Sequence, residues 1–540
     1  MPKVTIDGRE IEVERGENLI EAGKKVGVQI PHYCYHPRLS VVGQCRMCLV
    51  KVEGMPKLQT ACTTQVMKDG MEVKVDDPQV QEAQAGVMEF LLINHPLDCP
   101  ICDQAGECGL QDYSFKHGQA FSRFEYDKKR VYPGRERIPV GPHVLLNMNR
   151  CIQCTRCVRF TEEVTGTGEL GFFQRGARAE IGVFPGKQLD NPLSTCVVDI
   201  CPVGALTSTE FRFAERVWYL DKEPSICTGC DVGCNITLEH REGKIRRYKP
   251  RANPEVNDYW MCDYGRGTFR RYEETPRLTT PLLREEPQAE PQRLAWSEGI
   301  RRLVQQLAAL GPEDTSAFLS AGFCSTEEAY LLRRLADAVE SPHRGTTLEP
   351  GEVRRIPNPQ GGIEGREAAP NRRGCELAGL TPGEGGFSAT DLTEGDAAGK
   401  CTLLVVADAD PGSRLHRPET VERLRRAAFL VVLGWGESPL SAVADLVLPT
   451  TTHAESDGTY VNCEHRLQQF ERAFPAPTGA RPAVDTLLEV LAVVDARWRD
   501  LTTAEVFERM AAEVLAPAEV SFAGFPARGL SLGDGEAAAG

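Results

Sequence analysis

Fifteen cysteines and one histidine between residues 34 and 262 sort by spacing into four groups of four. The first group is Cys34, Cys45, Cys48 and Cys62, a close trio with one remote partner. Thiolates suit iron, and a C-x-x-C pair can hold one edge of a cluster. This group is therefore read as a [2Fe–2S] site. A structural zinc is the alternative, although zinc more often sits between two C-x-x-C knuckles. The second group lies in HPLDCPICDQAGEC and comprises His95, Cys99, Cys102 and Cys108. A lone histidine is usually a surface residue, but here a C-x-x-C run lacks a fourth ligand four residues away. A neutral imidazole replacing one thiolate removes a negative charge, so the group is read as a [4Fe–4S] site.

The third group is Cys151, Cys154 and Cys157 with the distant Cys201, which precedes Pro202. That C-x-x-C-x-x-C run with a remote Cys-Pro is the bacterial ferredoxin spacing and predicts a [4Fe–4S] cluster. The fourth group, Cys227, Cys230, Cys234 and Cys262, again offers four thiolates for [4Fe–4S]. The chain would thus carry one [2Fe–2S] and three [4Fe–4S] clusters. Cys196, Cys324, Cys401 and Cys463 read as small buried hydrophobes. Arg46 and Arg156, set among ligands, read equally as donors to cluster sulfur or as solvated surface residues.

Other chemistries leave no trace. No G-x-G-x-x-G follows a strand, and PGEGGFS at 382–388 is a weak glycine run. Neither a P-loop nor a G-x-S-x-G is present. No residue is assigned a catalytic role. Four redox centres without a substrate site describe a wire.

The ligands need loops held by regular elements. VTIDGREIEVE from Val4 predicts a hairpin turning at Asp7-Gly8, followed by a short helix from Asn18 to Val26 closed by Gly27. Strands are expected at 48–53 and 71–75, giving a mixed sheet around one helix, the β-grasp pattern of plant-type ferredoxins. Residues 78–94 read as a helix with Pro78 near its start and Val80, Ala83, Val87 and Leu91 along one face. From 95 to about 275 the chain reads as loop-rich. Segment 276–296 reads as a linker and 341–390 as a long Gly/Pro/Arg-rich loop. Strands at 316–320, 402–407 and 429–433 alternate with helices at 325–339 and 418–427, which predicts an α/β domain with a largely parallel sheet. The expected fold class is therefore α+β followed by α/β. The domains would be 1–78, 79–140, 141–218, 219–275 and 276–525, with a flexible tail over 526–540.

Lys and Arg total 62 against 77 Asp and Glu, a net charge of −15, which argues against nucleic acid or an anionic membrane as the main partner. No apolar run approaches the roughly 18–20 residues needed to span a bilayer. Met1-Pro2-Lys3-Val4 runs directly into a strand pattern, so a chain retained in a reducing cytosol is expected.

YCYHPRLSVVGQCRMCLVKVEG, HPLDCPICDQAGECGLQD, RCIQCTRCVRF and DICPVGAL resemble the large iron–sulfur subunits of NADH:quinone oxidoreductase, respiratory complex I. CTGCDVGCNI, SAGFCSTEEAYLLRRL, NRRGCELAGL and ADLVLPTTTHAESDGTYVNCEHR resemble the molybdopterin oxidoreductases, here in truncated form. The resemblance implies an electron-transfer subunit of a proton-translocating complex, on the cytoplasmic side of a bacterial inner membrane. It implies as partners a flavin/NADH-binding subunit, a separate small [2Fe–2S] subunit and quinone-module subunits, with no membrane insertion of this chain. It also implies no flavin and no molybdenum here. Molybdenum-bearing relatives usually carry a lysine where this chain has Tyr264, and Cys375 is the sole nearby candidate ligand. By the same resemblance the fourth cluster lies off the main electron path. The alternative is the electron-input subunit of an NAD-linked hydrogenase or formate dehydrogenase.

Overall fold

A computed structural model describes the chain except residues 287–288, 408–409, 411, 516–519 and 534–540. It divides into two compact units, Met1–Leu220 and Asp221–Gly540.

The first unit opens with Lys3–Ile6 and Arg9–Glu12, an antiparallel pair turned by Asp7 and Gly8 at φ 46° and 78°. Such a turn needs positive φ at both positions, which Asp-Gly supplies. The pair extends into a five-stranded mixed sheet through Met71–Lys74, which runs parallel to the first strand, then Leu49–Val52 and Gln59–Thr60. The helix Leu19–Lys25 packs on it, its first amides capped by the Asn18 side chain at 3.0 and 3.2 Å. Val4, Ile6, Leu19, Ile20, Val50 and Val73 form the core, together with the buried Cys48 and Cys62.

The helix Pro78–Leu92 forms as expected, but its buried face differs. Val80, Gln84 and Met88 are buried, whereas Ala83, Val87 and Leu91 are half-buried. Gln84 goes inward because its side-chain amide donates to the Leu49 carbonyl at 3.2 Å, and Met88 sulfur accepts from Tyr33 at 3.2 Å. Beyond it lie the helix Gly109–His117, a small sheet built on Val144–Leu146, and the hairpin Leu170–Phe173 with Glu180–Val183.

The second unit begins where the sequence reads as loop. Asp221–Ile226, Asn235–Arg241 and Lys244–Pro250 instead form a three-stranded antiparallel meander. Its strands are rich in charge because part of each faces outward, which masks their period. The α/β body is a seven-stranded sheet in the order Gln292–Arg293, Leu282–Leu283, Leu446–Pro449, Leu430–Gly434, Leu403–Ala407, Ser316–Ser320, His343–Thr346. Its last five strands are parallel, and the first two are antiparallel additions.

Two further expectations are corrected here. The 276–296 linker supplies the two antiparallel edge strands, each only two residues long and too short to show a period. The 341–390 loop contains the edge strand His343–Thr346, the hairpin Pro350–Ile356 with Ile363–Glu367, and the helix Arg372–Leu377. Edge strands tolerate charge, so HRGT carries little apolar signal. Within the expected tail, Leu530–Ser531 pairs with Arg466 and Leu467, while 534–540 lie outside the described residues. The helix Thr326–Ala338 starts at a capping box between Ser325 and Glu328. Among the described residues no helix is long and apolar enough to cross a membrane.

Candidate metal centres

In the first set, the Cys34 and Cys45 thiols share a hydrogen bond, and so do Cys48 and Cys62. Two pairs of thiols suit two irons, each with two thiolates. Backbone groups of Tyr33 and Met47 hydrogen-bond the Cys45 sulfur, lowering its pKa, with Cys34 as the main cause. Such donors favour thiolate over thiol.

The third set gathers most clearly. Cys151, Cys154, Cys157 and Cys201 line one cavity with Leu146, Ile181 and Arg156. Gln153 and Thr155 stand between these ligands at φ 56° and 60°, a conformation costly for non-glycine residues that turns the loop back on itself. The Gln153 amide donates to Cys151 sulfur at 3.3 Å. Burial pushes the Cys154 thiol up to about 11 and also raises Cys151, Cys157 and Cys201. Four thiols that resist ionisation by burial alone call for a cationic group to hold them as thiolates. Arg156 Nε, buried in the wall, has no hydrogen-bond partner among the described residues. An orphaned donor on a residue that lines the same cavity as four thiols fits a sulfide-bearing cluster.

The second set adjoins the third. Cys99 begins a short 3-10 turn and is exposed, while Cys102 and Cys108 are buried. Cys108 precedes the first turn of Gly109–His117, whose Leu110 and Gln111 amides oppose the burial that raises its thiol to about 11. Burial, with Lys128 and Arg150 nearby, lowers His95 to about 4, so its imidazole is neutral and able to ligate at pH 7. Burial raises the Cys102 thiol, opposed by Arg150, which is itself buried and pairs with Asp98 at 3.0 Å. Pro202 accepts from the Gly109 amide at 3.0 Å, and a Cβ at Gly204 would stand 2.3 Å from Cys102 sulfur. Only glycine permits that approach. The segment after Cys201 is thus a wall of the second set.

The fourth set lies in the second unit. The Cys227 amide donates to the Cys234 carbonyl at 2.9 Å, closing the loop. Gly229 and Gly265 amides donate to Cys227 and Cys262 sulfurs at 3.4 and 3.3 Å. A Cβ at Gly265 would lie 3.0 and 3.4 Å from those two sulfurs, so this glycine is a close-approach position. Burial raises Cys227 to about 12, opposed by Arg271 and Arg354. Arg354 lies 3.9 Å from the centre of the Tyr264 ring.

Among the described residues, no three His, Cys, Asp or Glu side chains close around a single point as one metal ion would require. Arg46 is exposed, which agrees with its reading as a solvated residue; Arg156 is not. Cys196, Cys324, Cys375 and Cys401 are buried, with 3.6 Å between the sulfurs of Cys324 and Cys375. Cys463 is half-buried and close enough to Cys234 to raise its thiol, so it is not a plain core residue. Arg150, Arg159 and Gly204 do not stand out in the sequence as site residues. The arginine ending RCVR is the available signal, lying two residues beyond a ligand.

Family profiles match along the chain. The 2Fe-2S iron-sulfur cluster binding domain covers residues 2–78, and the NADH-ubiquinone oxidoreductase-G iron-sulfur binding region covers 84–123. The NADH-quinone oxidoreductase subunit 3 ferredoxin-like domain covers 141–207. The molybdopterin oxidoreductase Fe4S4 domain and the molybdopterin oxidoreductase family cover 220–273 and 407–493. The NADH-quinone oxidoreductase G subunit of Streptomyces coelicolor is 43% identical over 336 residues, 62% of this chain and 39% of that protein. The chain is related to the G subunits of NADH-quinone oxidoreductase. The mitochondrial NADH-ubiquinone oxidoreductase 78 kDa subunit of Neurospora crassa is 42% identical over 65% of this chain and 46% of that one. The chain therefore spans less than half the length of these relatives. A crystal structure of NAD+-reducing [NiFe]-hydrogenase in the H2-reduced state covers 40% of this chain and 91% of its own at 28% identity, with a TM-score of 0.36.

Proposed function

We propose that this chain is an iron–sulfur electron-transfer subunit of the peripheral arm of an NADH-quinone oxidoreductase. The observation that carries this reading is the cavity lined by Cys151, Cys154, Cys157, Cys201 and Arg156, whose Nε is buried without a partner. Iron–sulfur clusters, when bound, take up and release single electrons. Cys34, Cys45, Cys48 and Cys62 would hold [2Fe–2S] on a β-grasp sheet, which the mixed order with one packed helix supports. His95 with Cys99, Cys102 and Cys108, then the Cys151 set, then the Cys227 set would each hold [4Fe–4S].

The chain's own part is to bury the ligands and aim amides and arginines at the sulfurs, which tunes potential. Contacts of the third set with the first through Arg159 and with the second through Pro202 and Gly204 support the order first, third, second. The fourth set serves folding. No molybdenum is bound: Tyr264 carries Arg354, and Cys375 is buried against Cys324. The domain division 1–78, 79–140, 141–218, 219–275 and 276–525 follows these sets. A flavin/NADH-binding subunit would supply electrons, and a separate small [2Fe–2S] subunit and quinone-module subunits would complete the arm at the cytoplasmic face of the membrane. The names of the curated relatives favour this reading over an NAD-linked hydrogenase subunit.

The test is iron and acid-labile sulfide in the anaerobically purified chain. About fourteen irons are expected. Zinc in place of iron, or stoichiometric molybdenum, would overturn the reading.

A further inference from the structure

Arg156 and Arg159 each reach from the third ligand set to the first. Arg159 is buried at 5% exposure. Its Nη2 donates to the Cys34 carbonyl at 2.6 Å and to the Cys154 carbonyl at 3.2 Å, and its Nη1 donates to the Ser40 carbonyl. Arg156 donates to the Ile200 carbonyl, one residue before Cys201, at 3.1 Å, and to the Tyr35 carbonyl, one residue after Cys34. Gln44 and Gln153 add a third link at 2.8 Å, and Ser40 donates to Glu163 through its amide at 2.7 Å. Among the described residues, the partners of both guanidinium groups are carbonyls and one hydroxyl, with no carboxylate. A buried cation, Arg159, and a half-buried one, Arg156, without a carboxylate are costly unless another anion balances them. The thiolates on either side, carrying clusters, are the anions at hand.

We infer that Arg156 and Arg159 are positioning residues for direct electron exchange between the first and third ligand sets, fixing their separation and stabilising the reduced third set. This rests on the proposed iron–sulfur reading. The exchange moves one electron: one centre is oxidised by one, the other is reduced by one, and no bond or proton changes. The arginines act by geometry and charge. Arg159 ties the main chain at Cys34 to that at Cys154, so neither loop moves without the other. Arg156 lines the third cavity and its Nε is free, so its charge weighs more on that set.

The experiment uses the full chain, loaded anaerobically, as wild type and as Arg156→Met, Arg159→Met and Arg159→Lys. Redox titration followed by electron paramagnetic resonance reads the reduced fraction of each signal and the magnetic coupling between the two reduced centres. In Arg156→Met and Arg159→Met the reduced-to-oxidised ratio of the third set at a fixed potential should fall about tenfold, equivalent to about 59 mV for a one-electron couple. Arg159→Met should also spread the magnetic coupling. Arg159→Lys should restore the ratio to within about threefold but leave the coupling spread, because an ammonium keeps the charge and loses the planar fork. Unchanged ratio and coupling in both methionine variants, with normal iron content, overturns the inference. If Arg159→Met loads no iron, Arg156→Met and Arg159→Lys decide it by the same readouts. A wild-type chain without iron at these sets would instead refute the proposed function itself.

Discussion

Residues 1–220 and 221–540 solve the problem of a buried interior differently. In the first unit the main apolar core is the small sheet around Val4, Leu19 and Val73. Beyond it, buried apolar residues such as Val144, Phe160 and Val197 are interleaved with cysteines, arginines bonded to carbonyls, and the Arg150–Asp98 pair. In the second unit a five-stranded parallel core alternates its side chains between two apolar layers. Phe318, Val405 and Val431 face one layer and Leu319, Val406 and Val432 the other. A parallel sheet covered on both faces is the pattern that burial of this kind dictates. The contrast is between an interior in which polar and cysteine side chains are interleaved with apolar ones and an interior of two continuous apolar layers.

The sharpest way to break this comparison is to remove the metal. Iron chelation under reducing conditions should open residues 95–215 to protease, while peptides of the central sheet at 316–320, 403–407 and 430–434 stay protected. Mass spectrometry of the digest reads both, and equal loss in the two regions would erase the contrast. Next in size is Gly204→Ala, whose Cβ would stand 2.3 Å from Cys102 sulfur. It should cost the chain about four irons, the content of one [4Fe–4S] site, measured by metal analysis, with the C-terminal sheet unaffected.

The complementary lesion is Leu335→Ala, at a fully buried position on the helix Thr326–Ala338. It should destabilise the second unit by about 2–5 kcal/mol in denaturant unfolding and leave iron at the first three sets unchanged. The smallest effect expected is from Ser325→Ala, which removes a capping box and should cost about 1 kcal/mol. Its absence would mean that packing alone holds that helix.

The sequence carries the site further than the fold. Ligand spacing is covalent information, so the third set is legible in C-x-x-C-x-x-C, and the structure brings those residues to one cavity. Long strands and helices are legible by period, as at 316–320 and 325–339. The edge strands of the seven-stranded sheet are not, since two residues cannot display a period and HRGT at an edge need not be apolar. Gln84 replaces Ala83 in a buried face because of one hydrogen bond to Leu49, a contact no local pattern encodes. Arg159 escapes notice for the same reason: its partners, Cys34 and Ser40, lie more than a hundred residues away.

The segment from Cys201 to Gly204 ends one ligand set and forms the wall of another. Four residues shared in this way cannot be ordered for one set and loose for the other. With iron bound as proposed, fastening Cys201 would also order the recess that holds Cys102, and filling that recess would in turn order Cys201. A defect in loading either set should then be inherited by its neighbour.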